Sequence, residues 1–173
     1  MQPLPTTFAE ADATEVAPRL LNRVMRIGDR VARITEVEAY TADDPASHSF
    51  RGPTPRTAPM FGPSGHWYVY LVYGMHFCVN LVTGRVGDGQ AVLIRSVIVP
   101  GIPAAQTSGP GRLTRELGID LSWNGKVAEL FDDGVAPPAA ALVTPRVGIT
   151  KAVDWPRRWV VPPQAPPASQ RSQ

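Results

Sequence analysis

Cysteine is almost missing from this chain of 173 residues, with Cys78 standing alone. A single thiol excludes an internal disulfide and any multi-cysteine zinc site. Long apolar runs are missing too, and without a stretch of about eighteen such residues no membrane-spanning helix is expected. The opening MQPLPTTFAEADATEV lacks the basic start and apolar middle of a secretory signal, so a cytoplasmic setting, or association with a prokaryotic nucleoid, is expected. Acids and lysine are scarce in the centre of the chain. Between Phe50 and Arg115 the basic residues are Arg51, Arg56, Arg85, Arg95, Arg112 and Arg115, the only acid is Asp88, and no lysine occurs. Guanidinium groups can fork two phosphate oxygens at once, so this segment suits nucleic acid; a solvated surface balanced by acids from elsewhere is the bland alternative.

The hydrophobic content is that of an ordinary globular chain, and the length suits one domain. Residues 8–25 carry Leu20, Leu21, Val24 and Met25 and predict a helix or two helical pieces, with Asp12 or Thr14 as a cap and Pro18 at a first turn or break. Gly28 marks a turn. Residues 31–40 alternate, with Ile34, Glu36, Glu38 and Tyr40 on one face and Arg33, Thr35, Val37 and Ala39 on the other, which predicts a strand. Residues 41–65 are rich in Pro, Gly, Ser and Asp and predict a long loop of the functional or disordered kind. Strands follow at 67–72 and 76–82, with Tyr73-Gly74-Met75 as the turn between them, and a third lies at 91–99; together they predict an antiparallel meander. Residues 108–119 turn helical, residues 120–130 are irregular, and a short strand is expected within 143–149. After KAVDWPRRWVV no clear final strand is expected, and VVPPQAPPASQRSQ, beyond Trp159, reads as a disordered tail. The expected division is an N-terminal segment 1–18, a domain 19–160 and a Pro-rich tail 161–173.

All four tyrosines lie between positions 40 and 73, and all three histidines between 48 and 76. Tyr68 and Tyr70 share a strand face, as do Glu38 and Tyr40. Convergence of these strands brings a carboxylate among π-faces, where a nucleobase gains about 1–3 kcal/mol per stack. An aromatic core is the commoner fate of such tyrosines, but a buried Glu38 needs a partner or a function. Arg95, inside the apolar AVLIRSVIV, is either a structural ion-pair partner or a contact to a phosphate or the reacting nucleotide. Asn80 shares a face with His76 and Cys78; it either satisfies backbone groups or reads a base edge. The histidines match no metal spacing, and one cysteine is too few for a zinc deaminase.

RITEVEAY at 33–40, HSFRGPTPRTAPMF at 48–61, WYVYLVYGMHFCVN at 67–80, AVLIRS at 91–96, SGPGRLTRELGI at 108–119 and PRVGI at 145–149 together resemble the alkyladenine (3-methyladenine) DNA glycosylase family. The likeness runs in order from about Arg19 to about Trp159. It implies a mixed α/β fold of the α+β type: a single domain around a curved antiparallel sheet flanked by helices, without a helix-hairpin-helix. It implies removal of alkylated or deaminated purines from double-stranded DNA, no metal or other cofactor, no membrane, and a monomer. It also implies roles. Glu38 resembles the general base that activates water, and Arg95 the active-site arginine beside it. Tyr40, His48 and Tyr70 resemble the walls around the flipped base. Asn80 resembles the gate against the amino group of normal guanine, and Val147 a position whose backbone meets the base. Tyr73 resembles the wedge that enters the duplex. No lysine is expected at the reacting carbon, because Lys126 and Lys151 fall outside the matched catalytic blocks, so no strand cleavage is expected. Two alternatives remain open: a non-catalytic module for damaged or bent DNA, and a small-molecule hydrolase with an aromatic pocket.

Overall fold

A computed structural model describes residues 1–163 of the chain. Its elements are strands β1 (Gln2–Pro3), β2 (Val24–Ile27), β3 (Arg30–Tyr40), β4 (Trp67–Val72), β5 (His76–Thr83), β6 (Gln90–Ile98), β7 (Glu129–Asp132), β8 (Leu142–Thr144) and β9 (Arg158–Val160). The helices are α1 (Ala13–Leu20), α2 (Ala104–Thr107) and α3 (Pro110–Leu117). Every strand pairing is antiparallel, in the order β1-β7-β2-β3-β6-β5-β4, with β9 joining β3 and β8 joining β9. The sheet is open, and the expected mixed α/β domain and its β4-β5-β6 meander are present.

Side chains alternate across a strand, so each central strand serves two faces. Val37 and Ala39 of β3, Trp67 and Val69 of β4, Val79 and Leu81 of β5, and Val92 and Ile94 of β6 are buried in one core with Val16 and Leu20 of α1 and Leu113 and Leu117 of α3. The opposite face carries Glu38, Tyr40, Tyr68, Tyr70, Asn80 and Arg95, which border a cavity.

The strict alternation expected along β3 fails at one point. Ile34 pairs with Val97 and Glu36 with Ser96, but Val37 pairs with Ile94. Thr35 is therefore extra on β3 and Arg95 extra on β6. These paired bulges change the face that each side chain meets. Ile34 is in the core beside Val37 and Ala39, not on the face of Glu36 and Glu38. The same point divides the outer edge of β3, which pairs with β2 over Arg30–Arg33 and with β9 over Glu36–Glu38.

The helix expected over 8–25 is shorter. Asp12 caps α1, its carboxylate accepting from the Thr14 N–H at 2.8 Å. Pro18 withholds a helical N–H, the helix ends at Leu20, and Asn22 turns the chain at φ 65°, so Val24 and Met25 enter β2. The 18/19 boundary expected from sequence falls inside α1, whose Ala13, Val16, Ala17 and Leu20 are buried. α3 begins with Pro110 and ends at a left-handed Gly118, whose N–H returns to the last turn. Three short strands differ from expectation. β7 forms inside the region read as irregular. The expected strand within 143–149 stops at Thr144, because Pro145 has no N–H to give and Gly148 lies at φ 78°. β9 forms within KAVDWPRRWVV, takes in Val160, expected at the start of the tail, and pairs with both β3 and β8. Residues 164–173 of the expected tail lie outside the described residues.

Candidate active site

One row of paired residues crosses four strands: Glu38 on β3 opposes Leu93 on β6, Leu93 opposes Asn80 on β5, and Asn80 opposes Tyr68 on β4. Neighbouring strands lie about 4.8 Å apart. A carboxylate, an aliphatic side chain, an amide and a phenol thus line one floor. The cavity above it measures about 600 Å³, within the usual range for small-molecule sites. All eight residues singled out from sequence border it: Glu38, Tyr40, His48, Tyr70, Tyr73, Asn80, Arg95 and Val147.

Glu38 is fully buried from bulk water. The Val147 N–H donates to its Oε1 at 2.8 Å, and the Tyr40 hydroxyl donates to its Oε2 at 2.8 Å. Arg95 Nη1 stands 3.4 Å from Oε1. An ionised carboxylate offers about four acceptor positions, so these contacts leave room for a further donor. Burial and the adjacent Glu38 both push the Tyr40 phenol well above its ordinary range, so it serves as a donor.

Arg95 is an ion-pair partner, one of the two roles the sequence left open, and it borders the cavity. Its Nε donates to Glu36 Oε1 at 2.9 Å, and its Nη1 faces Glu38. Glu36 also accepts from Arg158 Nε at 2.7 Å and from the Ser96 hydroxyl at 2.9 Å. Burial alone would raise the Glu36 carboxyl, but hydrogen bonds from Arg158, Ser96 and Arg95 outweigh it and hold it below the ordinary value. The bulge explains the reach, because Arg95 and Ser96 both contact this carboxylate.

His48 comes from the long loop and leans over the tyrosines. Its ring lies 4.4 Å from Tyr70, edge-on, and Tyr70 lies 5.3 Å from Tyr68. His48 Nδ1 and the Tyr68 hydroxyl are 3.0 Å apart. His48 is open on the cavity side; the packing behind it, then the Arg56 guanidinium, lower its affinity for a proton. Burial pushes the Tyr68 phenol up to about 12. Asn80 uses its amide N–H on the Tyr68 carbonyl at 3.0 Å, the backbone-satisfying role, while still bordering the cavity.

Tyr73 projects from the β4–β5 turn with 90 % of its surface exposed. It and Gly74 have φ of 49° and 68°, and the Met75 N–H closes the turn on the Val72 carbonyl at 3.1 Å. Positive φ at both central positions is what mirror-image hairpin turns require. Arg51, Arg56, Arg85, Arg112 and Arg115 are exposed, as a phosphate-contacting set must be.

Sequence reading missed several contributors. Asp44 and Arg146, 102 positions apart, form a fully buried ion pair. The Arg146 guanidinium also lies 4.6 Å from the Tyr40 ring centre. Only contact across the folded chain reveals this pair. Lys151, outside the matched catalytic blocks, borders the cavity. Cys78 lies beside Tyr70, its thiol pushed up by burial. Among the described residues no group of three or more metal-ligating side chains occurs, and no helix is long and apolar enough to cross a membrane.

Comparison with known proteins supplies an independent finding. Residues 7–165 match the family described as methylpurine-DNA glycosylase. A Burkholderia lata protein carrying the name 3-methyladenine DNA glycosylase is 45% identical, over 92% of this chain and 87% of its own. A similarly named protein of Methanoculleus marisnigri is 43% identical, over 90% and 93%. The DNA-3-methyladenine glycosylase of Arabidopsis thaliana is 42% identical, over 88% and 67%.

Proposed function

The chain belongs to the methylpurine-DNA glycosylase family, a base-excision-repair glycosylase for alkylated purines, and from that premise we propose how its residues divide the work. The carrying observation is a buried carboxylate, Glu38, bordering the same cavity as three aromatic walls.

A base inside a duplex hides its glycosidic bond, so the nucleotide must be turned out, at a cost of a few kcal/mol. Tyr73 fills the gap left behind. Tyr40, His48 and Tyr70 surround the extruded base, and a cationic alkylated ring gains further from their electron-rich faces. Asn80 disfavours the exocyclic amino group of normal guanine. The bond from C1′ to the base breaks through an oxocarbenium-like state. Positive charge already on an alkylated purine makes it a good leaving group without protonation. Glu38 takes the proton from the attacking water and offsets charge on the sugar. The Val147 N–H and Arg95 orient that carboxylate.

The enzyme is monofunctional in this scheme: water, not an amine, attacks C1′. Lys151 makes the point testable, because an imine to the sugar is trapped by borohydride, and no trapped adduct is expected. Double-stranded DNA is the partner, bound by a monomer in the cytoplasm or at the nucleoid.

Glu38→Gln tests the assignment. Excision of a methylated adenine should fall by about three orders of magnitude or more, with binding to abasic-site DNA retained. Unchanged turnover would refute the role of Glu38. Failure of the wild type to make alkali-labile sites would leave a non-catalytic binding module, and turnover of free nucleosides without salt dependence would favour a small-molecule hydrolase.

A further inference from the structure

We infer that the buried Asp44–Arg146 pair is a positioning device that ties together the two loops flanking the base cavity and aims a backbone donor at Glu38. This deepens the preceding section and rests on its reading of Glu38 as the base.

Asp44 lies in the loop that leads from Tyr40 to His48. Its carboxylate orders that loop locally, accepting from the Ala46 N–H at 2.9 Å, while the Asp44 N–H donates to the Thr41 carbonyl and the Asp44 carbonyl accepts from Ser47. Arg146 lies one residue before Val147, which borders the cavity. Its guanidinium forks onto both Asp44 oxygens, with Nη2 at 3.0 Å from Oδ1, and Nη1 also donates to the Ala39 carbonyl at 3.0 Å. The same group covers the Tyr40 ring. A second arginine, Arg157, stands 3.6 Å from Asp44 and donates to the Thr41 hydroxyl at 2.6 Å.

One buried group therefore touches β3 at Ala39 and Tyr40 and the 41–48 loop at Asp44. Val147 follows immediately, and its N–H donates to Glu38 Oε1. Val147 itself is half exposed, so side-chain packing does not fix its amide. Pro145 and Gly148, the latter at φ 78°, flank the segment. Loss of the fork is expected to loosen the Val147 amide on Glu38 while leaving the Arg95–Glu36 pair and the β3–β6 ladder intact.

The experiment compares wild type with Asp44→Asn and Arg146→Lys in the full chain. Asp44→Asn keeps shape and oxygen but leaves Arg146 uncompensated, and a lower folded fraction is expected. Arg146→Lys keeps the cation against Asp44 and loses the fork. Each variant is assayed for folded fraction, binding to abasic-site duplex, single-turnover excision of a methylated adenine, and hydrogen exchange at the Val147 amide. The folded part of each variant is expected to excise at least about tenfold more slowly while binding abasic duplex within about threefold of wild type. Exchange at Val147 accelerates while exchange in β6 does not. Arg146→Lys retains more activity than Arg146→Met. Excision that tracks the folded fraction alone, or Val147 exchange unchanged in both variants, overturns the proposal. Glu38→Gln runs alongside: if it still excises, the assignment of the base has failed; if it is inert while the clamp variants match wild type, only the clamp has.

Discussion

Replacing Tyr73 by Asn should make the protein more stable and less active at once. Tyr73 occupies left-handed backbone at φ 49°, which costs an ordinary L-residue about 1–2 kcal/mol, whereas Asn tolerates it. With 90 % of its surface exposed, the side chain returns little packing energy to the free protein. Relief of about 1 kcal/mol corresponds to a rise of roughly 2–4 °C in Tm for a domain of this size. Asn is preferred to Gly because glycine would add entropy to the unfolded chain. The activity change has the opposite sign. An aromatic stack in the emptied duplex is worth about 1–3 kcal/mol, so Asn should lower the population of extruded lesion roughly fivefold to more than a hundredfold. Thermal melting and single-turnover excision from duplex measure the two effects separately. Tyr73→Phe is the control, with the same backbone strain, an intact ring, and an expected Tm and rate close to wild type. A lower Tm for Tyr73→Asn, or undiminished excision, would refute the argument that strain is held at the turn for the sake of an exposed wedge.

Other expectations concern charge. Glu36→Gln should slow excision by freeing Arg95 and Arg158. Because the Glu36 carboxyl is held below its ordinary value, its contribution to stability is present above about pH 4.5 and is lost as pH falls through the lowered folded value. The stability gap between wild type and Glu36→Gln, measured by urea unfolding, should therefore shrink in acid; a constant gap refutes it. His48 has linkage of the same sign in a higher pH window. Its folded form resists protonation, so stability should decline as pH drops below about 6.5, and His48→Gln should remove part of that decline. DNA binding should weaken steeply with added salt, and removing Arg51 or Arg112 should reduce the slope of log affinity against log salt by about one each. A slope unchanged in both variants argues that neither meets a phosphate.

Much of the site was legible because its residues are close in sequence and obey strand periodicity. Tyr68 with Tyr70, and Glu38 with Tyr40, share faces through simple alternation, and the Tyr73 turn announces itself by Gly74. What escaped depends on contacts across the chain. Arg146 meets Asp44 from 102 positions away, and neither residue has a local pattern that betrays its partner. β9 is only three residues long and contains Arg158, so no periodicity can emerge; β3 supplies its hydrogen bonds. Lys151 reaches the cavity because its loop is drawn in beside Val147, a tertiary consequence. The bulges at Thr35 and Arg95 break the alternation that sequence reading relies on, which is why Ile34 was expected on the wrong side.

That doubled irregularity also makes the orientation of Glu38 a counting problem. An unbroken pleat running on from the buried Ile34 through Thr35 would turn Glu38 and Tyr40 toward the helices and bring Val37 and Ala39 out beneath the purine; the bulge absorbs Thr35 and cancels that half revolution. One unpaired position on the ribbon thus decides which of its surfaces is oil and which is chemistry.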